Sequence, residues 1–380
     1  MSSITDTLSD LVGINSVNPE WDGPGEGEVA TYVCDYFDRI GVEFHTGEVL
    51  PGRSNVIGRL PGKDSSRSLL LEAHMDTVSV AGMTIDPFAA ETSAGKMWGR
   101  GTCDTKAGLA AMLHSMATLK RDDLEPPIDV VLAAVVDEEH LFRGVSNFVS
   151  SLNDQPKPIA AIVAEPTELR VVRANKGVLR WQIITRGRAA HSSTPHLGAS
   201  AITAMADVIK ALEDNPPAGE HALVGPPTCT IGTIHGGRQV NFVPDECCIK
   251  IDRRLIPGES AADVHQNYDR LLDAVRERHP KVQIENESPF LADDAMETDA
   301  DEEVVKVAGG TLGSMGLPTE SIGVPFGCDA TKLSRAGIPS IVFGPGSITQ
   351  AHTADESVDI EQVEKAGEFY RNFIMSFGVS

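Results

Sequence analysis

Two histidines and a set of carboxylates in this sequence are of the types that bind metal ions and move protons. Nearly all of them follow directly after an apolar run, where a buried strand would end. The set comprises His74, Asp76, Asp104, Glu138, Glu139, Glu165 and His352. Because strand ends in an open parallel sheet face one crevice, residues far apart in the chain can meet there. The pattern predicts a hydrolase that uses two metal ions.

His74 and Asp76 are separated by one residue, so both side chains lie on the same side of a strand end. Asp76 can orient the imidazole while His74 binds a metal, and a buried hydrogen-bonded pair is the alternative. Asp104 ends the glycine-rich segment 99–104, just before a predicted helix. It can bridge two metals with its two oxygens or simply cap the helix, a position that aspartate fills well.

Glu138 and Glu139 are adjacent acids that follow the apolar run 130–136. Their adjacency suits one metal ligand and one general base, and solvation of a strand end is the alternative. Glu165 ends the apolar run 159–164, with Glu168 as a rival ligand. These strand-end acids are the second group of candidate ligands.

His352 follows a Gly-Pro-Gly turn and can be a ligand or an ordinary surface histidine. Imidazole nitrogen and carboxylate oxygen, without thiolate, favour zinc, with cobalt or manganese as substitutes. Cys103 is a neighbour of Asp104 in sequence, but a thiolate ligand is not part of the expected set. We therefore expect two Zn²⁺ ions per chain.

Length and charge limit the classes of function. A chain of 380 residues with 41% hydrophobic residues can bury a large core and form two domains. The net charge of −23 argues against nucleic-acid or anionic-membrane partners. The six cysteines have no CxxC spacing, the first residues do not resemble a signal peptide, and no apolar stretch approaches bilayer length. These features predict a cytoplasmic protein without a membrane segment.

The order of elements predicts an α/β fold. Helices are predicted at 4–14 and 28–40, and from there strands and helices alternate, with a strand at 68–71 and a helix at 106–119. The continuous apolar runs 128–136, 159–164 and 338–343 are typical of strands in a parallel sheet covered on both faces. Between about 177 and 288 the strands alternate apolar with polar residues, as in a sheet with one wet face. We expect a discontinuous metal-binding catalytic domain, 1–176 and 289–380, and an inserted α+β domain, 177–288. The glycines Gly310, Gly313 and Gly316 are interpreted as a flexible turn after a helix.

Several segments resemble one enzyme family across nearly the whole chain. The segments are 74–78 (HMDTV), 99–104 (GRGTCD), 137–139 (DEE), 164–167 (AEPT) and the stretch that ends at His352. They are similar to the two-zinc deacylases and exopeptidases, which include acetylornithine deacetylase, succinyl-diaminopimelate desuccinylase, aminoacylase and glutamate-releasing carboxypeptidases. Segment 173–177 (RANKG) is most similar to the acetylornithine deacetylase branch.

The resemblance implies a role for each candidate ligand. Asp104 would bridge the two zinc ions, His74 and Glu165 would complete one of them, and Glu139 and His352 would complete the other. It also implies that Glu138 is the general base, that Asp76 is the partner of His74, and that the peptide between residues 104 and 105 is cis.

The inserted domain resembles the family as well. His191 matches a histidine that reaches the active site of the neighbouring subunit, which implies a homodimer with His191 acting in trans. Asn241 and Arg254 match substrate-binding positions, and arginine suits bidentate capture of a substrate carboxylate. From sequence alone, His191 can be a strand-end histidine and Arg254 a solubilising residue on an edge strand. We expect strand 246–254 to offer an edge that pairs with a second copy of the chain.

The implied reaction is hydrolysis of the amide bond of an N-acyl amino acid. A metal-dependent dipeptidase or carboxypeptidase of the same family is the alternative enzyme. A catalytically inactive metal-binding assembly protein is the non-enzyme alternative, although that reading predicts a lost base or ligand and every position is filled here.

Overall fold

The computed structural model describes residues 2–152 and 156–379, which form two compact units. Unit 1 comprises Met1–Arg173, Glu297–Gly323 and Cys328–Ser380. Unit 2 comprises Ala174–Met296 and Val324–Gly327, so it is inserted into unit 1 along the chain. We keep the sequence-based division at 176/177 and 288/289 as a proposal for the functional domains.

The helices of the described residues are distributed over both units. They are α1 (Ile4–Gly13), α2 (Gly27–Ile40), α3 (Lys106–Arg121), α4 (Glu138–Leu141), α5 (Arg143–Ser151), α6 (Ala201–Asp214), α7 (Ala261–Arg278), α8 (Glu303–Ser314), α9 (Ala330–Arg335) and α10 (Ile360–Ser376). Single 3₁₀ turns occur at Pro19–Trp21 and Pro195–Leu197.

The strands of the described residues follow the same numbering in chain order. They are β1 (Glu43–Leu50), β2 (Arg53–Leu60), β3 (Asp64–His74), β4 (Glu91–Ser93), β5 (Lys96–Trp98), β6 (Ile128–Val135), β7 (Ala160–Val163), β8 (Val172–Asn175), β9 (Gly177–Arg186), β10 (Ala190–His191), β11 (Thr228–Gly236), β12 (Phe242–Val243), β13 (Glu246–Leu255), β14 (Gln283–Asn286), β15 (Leu291–Asp293), β16 (Met296–Glu297), β17 (Ile322–Val324), β18 (Ser340–Val342) and β19 (Ser357–Asp359).

The large sheet of unit 1 has a parallel centre. Its order runs β1-β2-β6-β3-β7-β18, with β6, β3, β7 and β18 parallel to one another and β1 and β2 antiparallel. Strands β8 and β16, where the chain passes between the units, continue this order. The expected α/β class, with a mostly parallel sheet covered by helices and a smaller inserted α+β unit, is confirmed.

Burial on both faces explains the continuous apolar runs. Leu69 and Leu71 of β3 belong to the core that also contains residues of α1, α3 and α10. Leu70 lies between them, points to the opposite face and is also fully buried. A strand that is covered on both sides needs apolar residues at every position. The same requirement stops at the strand end, which is where the polar candidates begin.

The glycine prediction for residues 310–316 was wrong. Gly310 and Gly313 lie inside α8, and only Gly316 adopts a left-handed conformation, with φ 71°, beyond its end. Glycine costs roughly 1 kcal/mol in a helix relative to alanine. Burial of Val304, Ala308 and Leu312 on one face of α8 outweighs that cost.

Unit 2 contains a five-stranded antiparallel sheet covered by α6 and α7. The sheet order is β11-β13-β9-β14, with β15 also paired to β9, and Trp181 lies in its core beside Tyr268. Strand β13 pairs on both sides, with β11 and with β9. The expectation that strand 246–254 is an edge was therefore wrong, because alternation of apolar and polar residues reports a half-buried face and not the position of a strand in the sheet. In the described residues, β11 is an edge strand.

Among the described residues, no helix has the length and apolar character that crossing a bilayer requires.

Candidate metal centre

Strand ends of unit 1 carry most of the candidate ligands. His74 is the last residue of β3, Glu165 comes two residues after β7, and Glu138 begins α4 three residues after β6. Asp104 precedes α3, and its peptide to Thr105 is cis, as the resemblance implied. These residues converge because β6, β3 and β7 are parallel neighbours whose carboxyl ends meet at one edge.

The two oxygens of Asp104 face different histidines. Oδ1 lies 3.1 Å from Nε2 of His74, and Oδ2 lies 3.3 Å from Nε2 of His352. Nε2 of His74 is also 4.0 Å from Oε1 of Glu165, and Nε2 of His352 is 3.1 Å from Oε1 of Glu139. The carboxylate of Asp104 thus stands between two pairs of nitrogen and oxygen donors, as a bridging ligand would.

Glu138 lies within the same cluster. Ligand atoms of His74, Asp104 and Glu139 are all within 4.8 Å of one another, and so are those of His74, Glu138 and Glu165. Both Glu138 and Glu165 are buried. Distance alone therefore allows Glu138 to ligate, and its assignment as a base needs a functional test.

Charge and burial in this cluster fit cations. Asp104, Glu138, Glu139 and Glu165 have buried carboxylates, and in the described part of the chain no Lys or Arg forms an ion pair with any of them. Burial raises the pKa of Glu139 to about 7 and raises the pKa of Glu138 and Glu165 well above the usual range. Buried carboxylates that lack cationic partners are costly unless they coordinate metals. The oxygen and imidazole donor set fits two divalent ions.

The two histidines respond to the same carboxylates. Hydrogen bonds to Asp104 and then to Glu139 raise the pKa of His352 to about 11. Burial opposes protonation of His74, but hydrogen bonds to Asp104 and Asp76 raise its pKa overall. Burial also acts on Asp104, yet the two histidines hold the pKa of its carboxyl well below the usual range.

Asp76 is fully buried beneath the cluster and has two roles. The nearest partner of His74 Nδ1 is the backbone carbonyl of Asp76, at 3.0 Å, whereas its carboxylate Oδ1 lies 3.5 Å away. The carboxylate itself accepts the backbone N–H groups of Glu138, at 3.1 Å, and Glu139, at 3.2 Å. Asp76 therefore orients the imidazole and also fixes the start of α4.

Two hydrogen-bonded groups around this cluster escaped the sequence analysis. Asn18, Glu26 and Arg53 are buried, and Arg53 binds Glu26 through two hydrogen bonds of 2.6 Å. Arg53 also binds Asp137, the left-handed residue before Glu138, at 3.1 Å. Asn18 and Glu26 each precede a helical segment, and Arg53 is the first residue of β2, so none of the three interrupts an apolar pattern that would have indicated its burial.

The second group consists of Arg100 and Glu356, whose side chains are 3% and 0% exposed. Arg100 is part of the glycine-rich segment that the resemblance used, but it had no assigned role. Glu356 follows His352 by four residues, and a single acid in a loop gives no signal of burial.

Three site residues predicted from the resemblance belong to unit 2. His191 is exposed on β10, and its Nδ1 lies 2.8 Å from Oγ of Ser193. His191 pairs with Phe242 of β12, and the carbonyl of Asn241 accepts the N–H of Ser192, so His191 and Asn241 are near neighbours. Arg254 lies on β13, partly exposed, with Nε 2.9 Å from Asp252. Their roles in substrate binding stay predictions.

Comparisons with known proteins agree on one family. Residues 70–376 match the profile described as peptidase family M20/M25/M40. The chain is 32% identical over 345 residues to an acetylornithine deacetylase from Myxococcus xanthus, which covers 86% of this chain and 83% of that protein.

Solved structures share the fold. A tripeptidase from Staphylococcus aureus has a TM-score of 0.83 at 22% identity, covering 99% of this chain and 98% of its own. An aminopeptidase from Bacillus cereus has a TM-score of 0.80 at 23% identity, covering 98% of this chain and 97% of its own. The expectation of a metal-dependent hydrolase of linear amides is confirmed by the profile and the deacetylase relative. The chain belongs to peptidase family M20/M25/M40.

Proposed function

We propose that this protein is a two-zinc hydrolase that removes the acyl group from an N-acyl amino acid. The observation that carries the proposal is Asp104, whose two oxygens lie 3.1 Å from His74 and 3.3 Å from His352. One carboxylate between two nitrogen donors supports a pair of metal ions, with His74 and Glu165 on one and Glu139 and His352 on the other. The set has no thiolate, which favours zinc over softer metals, with cobalt or manganese as substitutes.

Bound divalent cations would supply the Lewis acidity that polarises an amide carbonyl and makes water acidic near neutral pH. Glu138 is the proposed general base, taking a proton from the attacking water on a carboxylate oxygen and delivering it to the nitrogen of the leaving amine. Asp76 holds Glu138 in place through the backbone N–H that it accepts at 3.1 Å. The products are a carboxylic acid and an amino acid with a free amine.

Substrate recognition is proposed to involve unit 2. Arg254 would bind the carboxylate of the substrate, since a guanidinium suits two parallel hydrogen bonds to a carboxylate, and Asn241 would add amide contacts. The partner subunit's His191 would donate to the oxyanion in a homodimer. Strand β11 supports such a dimer, because an exposed edge can pair with a second copy across a two-fold axis.

The deacylase is favoured over a peptidase because the deacetylase relative is 32% identical, whereas the tripeptidase structure is 22% identical. The peptidase alternative remains, since the same chemistry cleaves dipeptides. A catalytically inactive assembly protein is disfavoured by the buried Glu138 beside the donor cluster. Six free cysteines and no disulfide among the described residues support a cytoplasmic location.

A hydrolysis panel tests the proposal. Purified protein would be assayed against N-acetyl and N-succinyl amino acids and against dipeptides and tripeptides, before and after chelation and zinc return. We expect amine release from N-acyl amino acids that chelation abolishes and zinc restores. Hydrolysis of peptides alone would contradict the deacylase, and activity indifferent to chelation would contradict the metal centre.

A further inference from the structure

The buried ion pair between Arg100 and Glu356 joins three segments that carry site residues. Nη1 of Arg100 lies 2.5 Å from Oε2 of Glu356. The other two nitrogens of Arg100 donate to backbone carbonyls, Nε to Ser79 at 3.2 Å and Nη2 to Thr353 at 3.3 Å. One guanidinium therefore connects the loop after Asp76, the loop of His352 and the carboxylate of Glu356.

The other oxygen of Glu356 acts on the predicted bridging ligand. Oε1 accepts the backbone N–H of Cys103 at 2.9 Å and that of Asp104 at 3.1 Å. Both donors belong to the turn that directs the Asp104 side chain into the cluster. Because Glu356 is fully buried, its negative charge has only these N–H groups and Arg100 as partners in the described residues.

The two ligands that this pair restrains face each other. Thr353, which accepts from Arg100, is the neighbour of His352, and Asp104 donates its N–H to Glu356. Asp104 Oδ2 and His352 Nε2 are 3.3 Å apart. In contrast, His74 and Glu165 are fixed by the ends of β3 and β7, which hydrogen bonds within the sheet hold in register.

We propose that Glu356 and Arg100 are positioning residues that set the distance between Asp104 and His352, and so select the affinity of one of the two metal positions. The inference rests on the proposed two-metal function. Loss of the pair would weaken the metal held with Glu139 and His352 more than the one held by His74 and Glu165, because His352 serves only the first position whereas Asp104 faces both. Residues that orient metal ligands typically change metal affinity by about 10- to 100-fold when they are replaced.

The first variant is Glu356→Gln. It keeps the shape of the side chain, but its amide N–H₂ must face either Arg100 or the two backbone N–H groups, so donors meet donors. Arg100→Lys is the second variant, because it keeps the charge yet cannot reach Ser79, Thr353 and Glu356 together. If Glu356→Gln does not fold, as judged by circular dichroism, Arg100→Lys carries the test.

The matched control is Asp129→Asn in the same unit. Asp129 is 3% exposed and accepts from Nε of Arg59 at 2.7 Å and from the N–H of Gly62 at 2.8 Å. It is a comparable buried carboxylate, but it is the second residue of β6, at the opposite end of the strand from Glu138. The Asp129→Asn variant therefore measures the effect of losing a buried ion pair that has no contact with the cluster of candidate metal ligands.

The experiment is calorimetric titration of metal-free protein with zinc. We expect two binding steps in wild-type protein and in Asp129→Asn. The affinity of each step should be the same in both proteins. In Glu356→Gln and Arg100→Lys one step should weaken by about tenfold or more while the other stays within about threefold. Unchanged affinities, or an equal loss in both steps, would overturn the proposal.

Amide hydrogen exchange of the metal-free protein separates this inference from the proposed function. In Glu356→Gln, the amides of residues 103 and 104 should exchange about tenfold faster than in wild type, because they lose their charged acceptor and Gln offers at most a neutral carbonyl oxygen. If wild-type protein binds no zinc, the two-metal function fails, and this exchange then decides whether the pair holds the turn at all. Equal exchange in variant and wild type would overturn it.

Discussion

The side-chain amide of Asn18 donates a hydrogen bond of 2.8 Å to the carboxylate of Asp76. The same nitrogen donates at 3.0 Å to Asp137. Its oxygen accepts the N–H of Glu20 at 3.1 Å, so the amide can face the two acids in only one orientation. Asn18 thus gives each of two buried carboxylates a donor and separates their charges.

Replacement of Asn18 by Asp should destabilise the protein and reduce its activity. The change places an acceptor where two carboxylates, Asp76 and Asp137, each lose a donor, which costs about 2 kcal/mol or more in a buried site. Urea unfolding and the rate of the favoured substrate would be measured. The control is Asn215→Asp, where the amide caps an exposed helix end and the change should stay within about 0.5 kcal/mol. Equal stability of Asn18→Asp and wild type would contradict the role of the amide.

The adjacent acids Glu138 and Glu139 should respond differently to the same change. Glu138→Gln should keep both metals and lose on the order of 10²-fold or more in rate, the usual scale for a general base. Glu139→Gln should lose metal, because its Oε1 stands 3.1 Å from His352 on the same side of Asp104. Rates and zinc content by elemental analysis would be measured on the same preparations. Near wild-type activity in Glu138→Gln would contradict the role as base, and loss of zinc from this variant would identify Glu138 as a ligand instead.

Removal of metal should lower the melting temperature. Without cations, the four clustered carboxylates repel one another. A ligand present at a free concentration of about 1,000 times its dissociation constant stabilises the folded protein by about 4 kcal/mol. We expect chelation to lower the melting temperature by at least about 5 °C. Added zinc should restore it and calcium should not, because imidazole donors favour zinc. A melting temperature that does not change after verified metal loss would contradict the centre.

The exposed edge strand β11 should mediate self-association. Ile234 on this strand is 54% exposed, and a charge on an edge discourages pairing with another strand. Ile234→Lys should shift the protein from dimer to monomer in sedimentation. The control is Val379→Lys, which places the same charge at a 70% exposed position of unit 1. A wild-type monomer, or a dimer that Ile234→Lys leaves intact, would contradict this interface.

If the dimer exists, two inactive variants should complement each other. Glu138→Gln lacks the proposed base and His191→Ala lacks the proposed oxyanion donor, so a mixed dimer contains one intact composite site. Activity should return after subunit exchange. A mixture that stays inactive despite proven exchange would mean that His191 does not act in trans.

The sequence allowed us to predict the candidate metal ligands at strand ends. It did not allow us to predict the buried residues whose hydrogen bonds position these ligands. Glu165 was found because β7 is buried on both faces, so the first polar residue after the apolar run lies just past the strand end, and His74 was found at the last position of β3. Glu356 and Asn18 interrupt no pattern, since each lies in a loop where polar residues are ordinary. Their burial depends on chain segments that meet only in the folded protein.

The prediction of the edge strand in the sheet of unit 2 was wrong for a related reason. The alternation within 246–254 correctly predicted a strand with one buried face, yet β13 has neighbours on both sides. Strand order depends on connections through space, and alternation along one strand does not contain that information.

The position of β18 has a consequence for how the chain reaches its native state. This strand pairs with β7 in parallel, yet unit 2 and α8 come between them along the chain. While a ribosome makes the protein from its first residue onward, β7 lacks one neighbour until residues 340–342 have emerged. Non-local parallel pairing of this kind slows folding and leaves strand edges open to aggregation. We therefore expect the nascent chain to depend on chaperones until β18 pairs with β7.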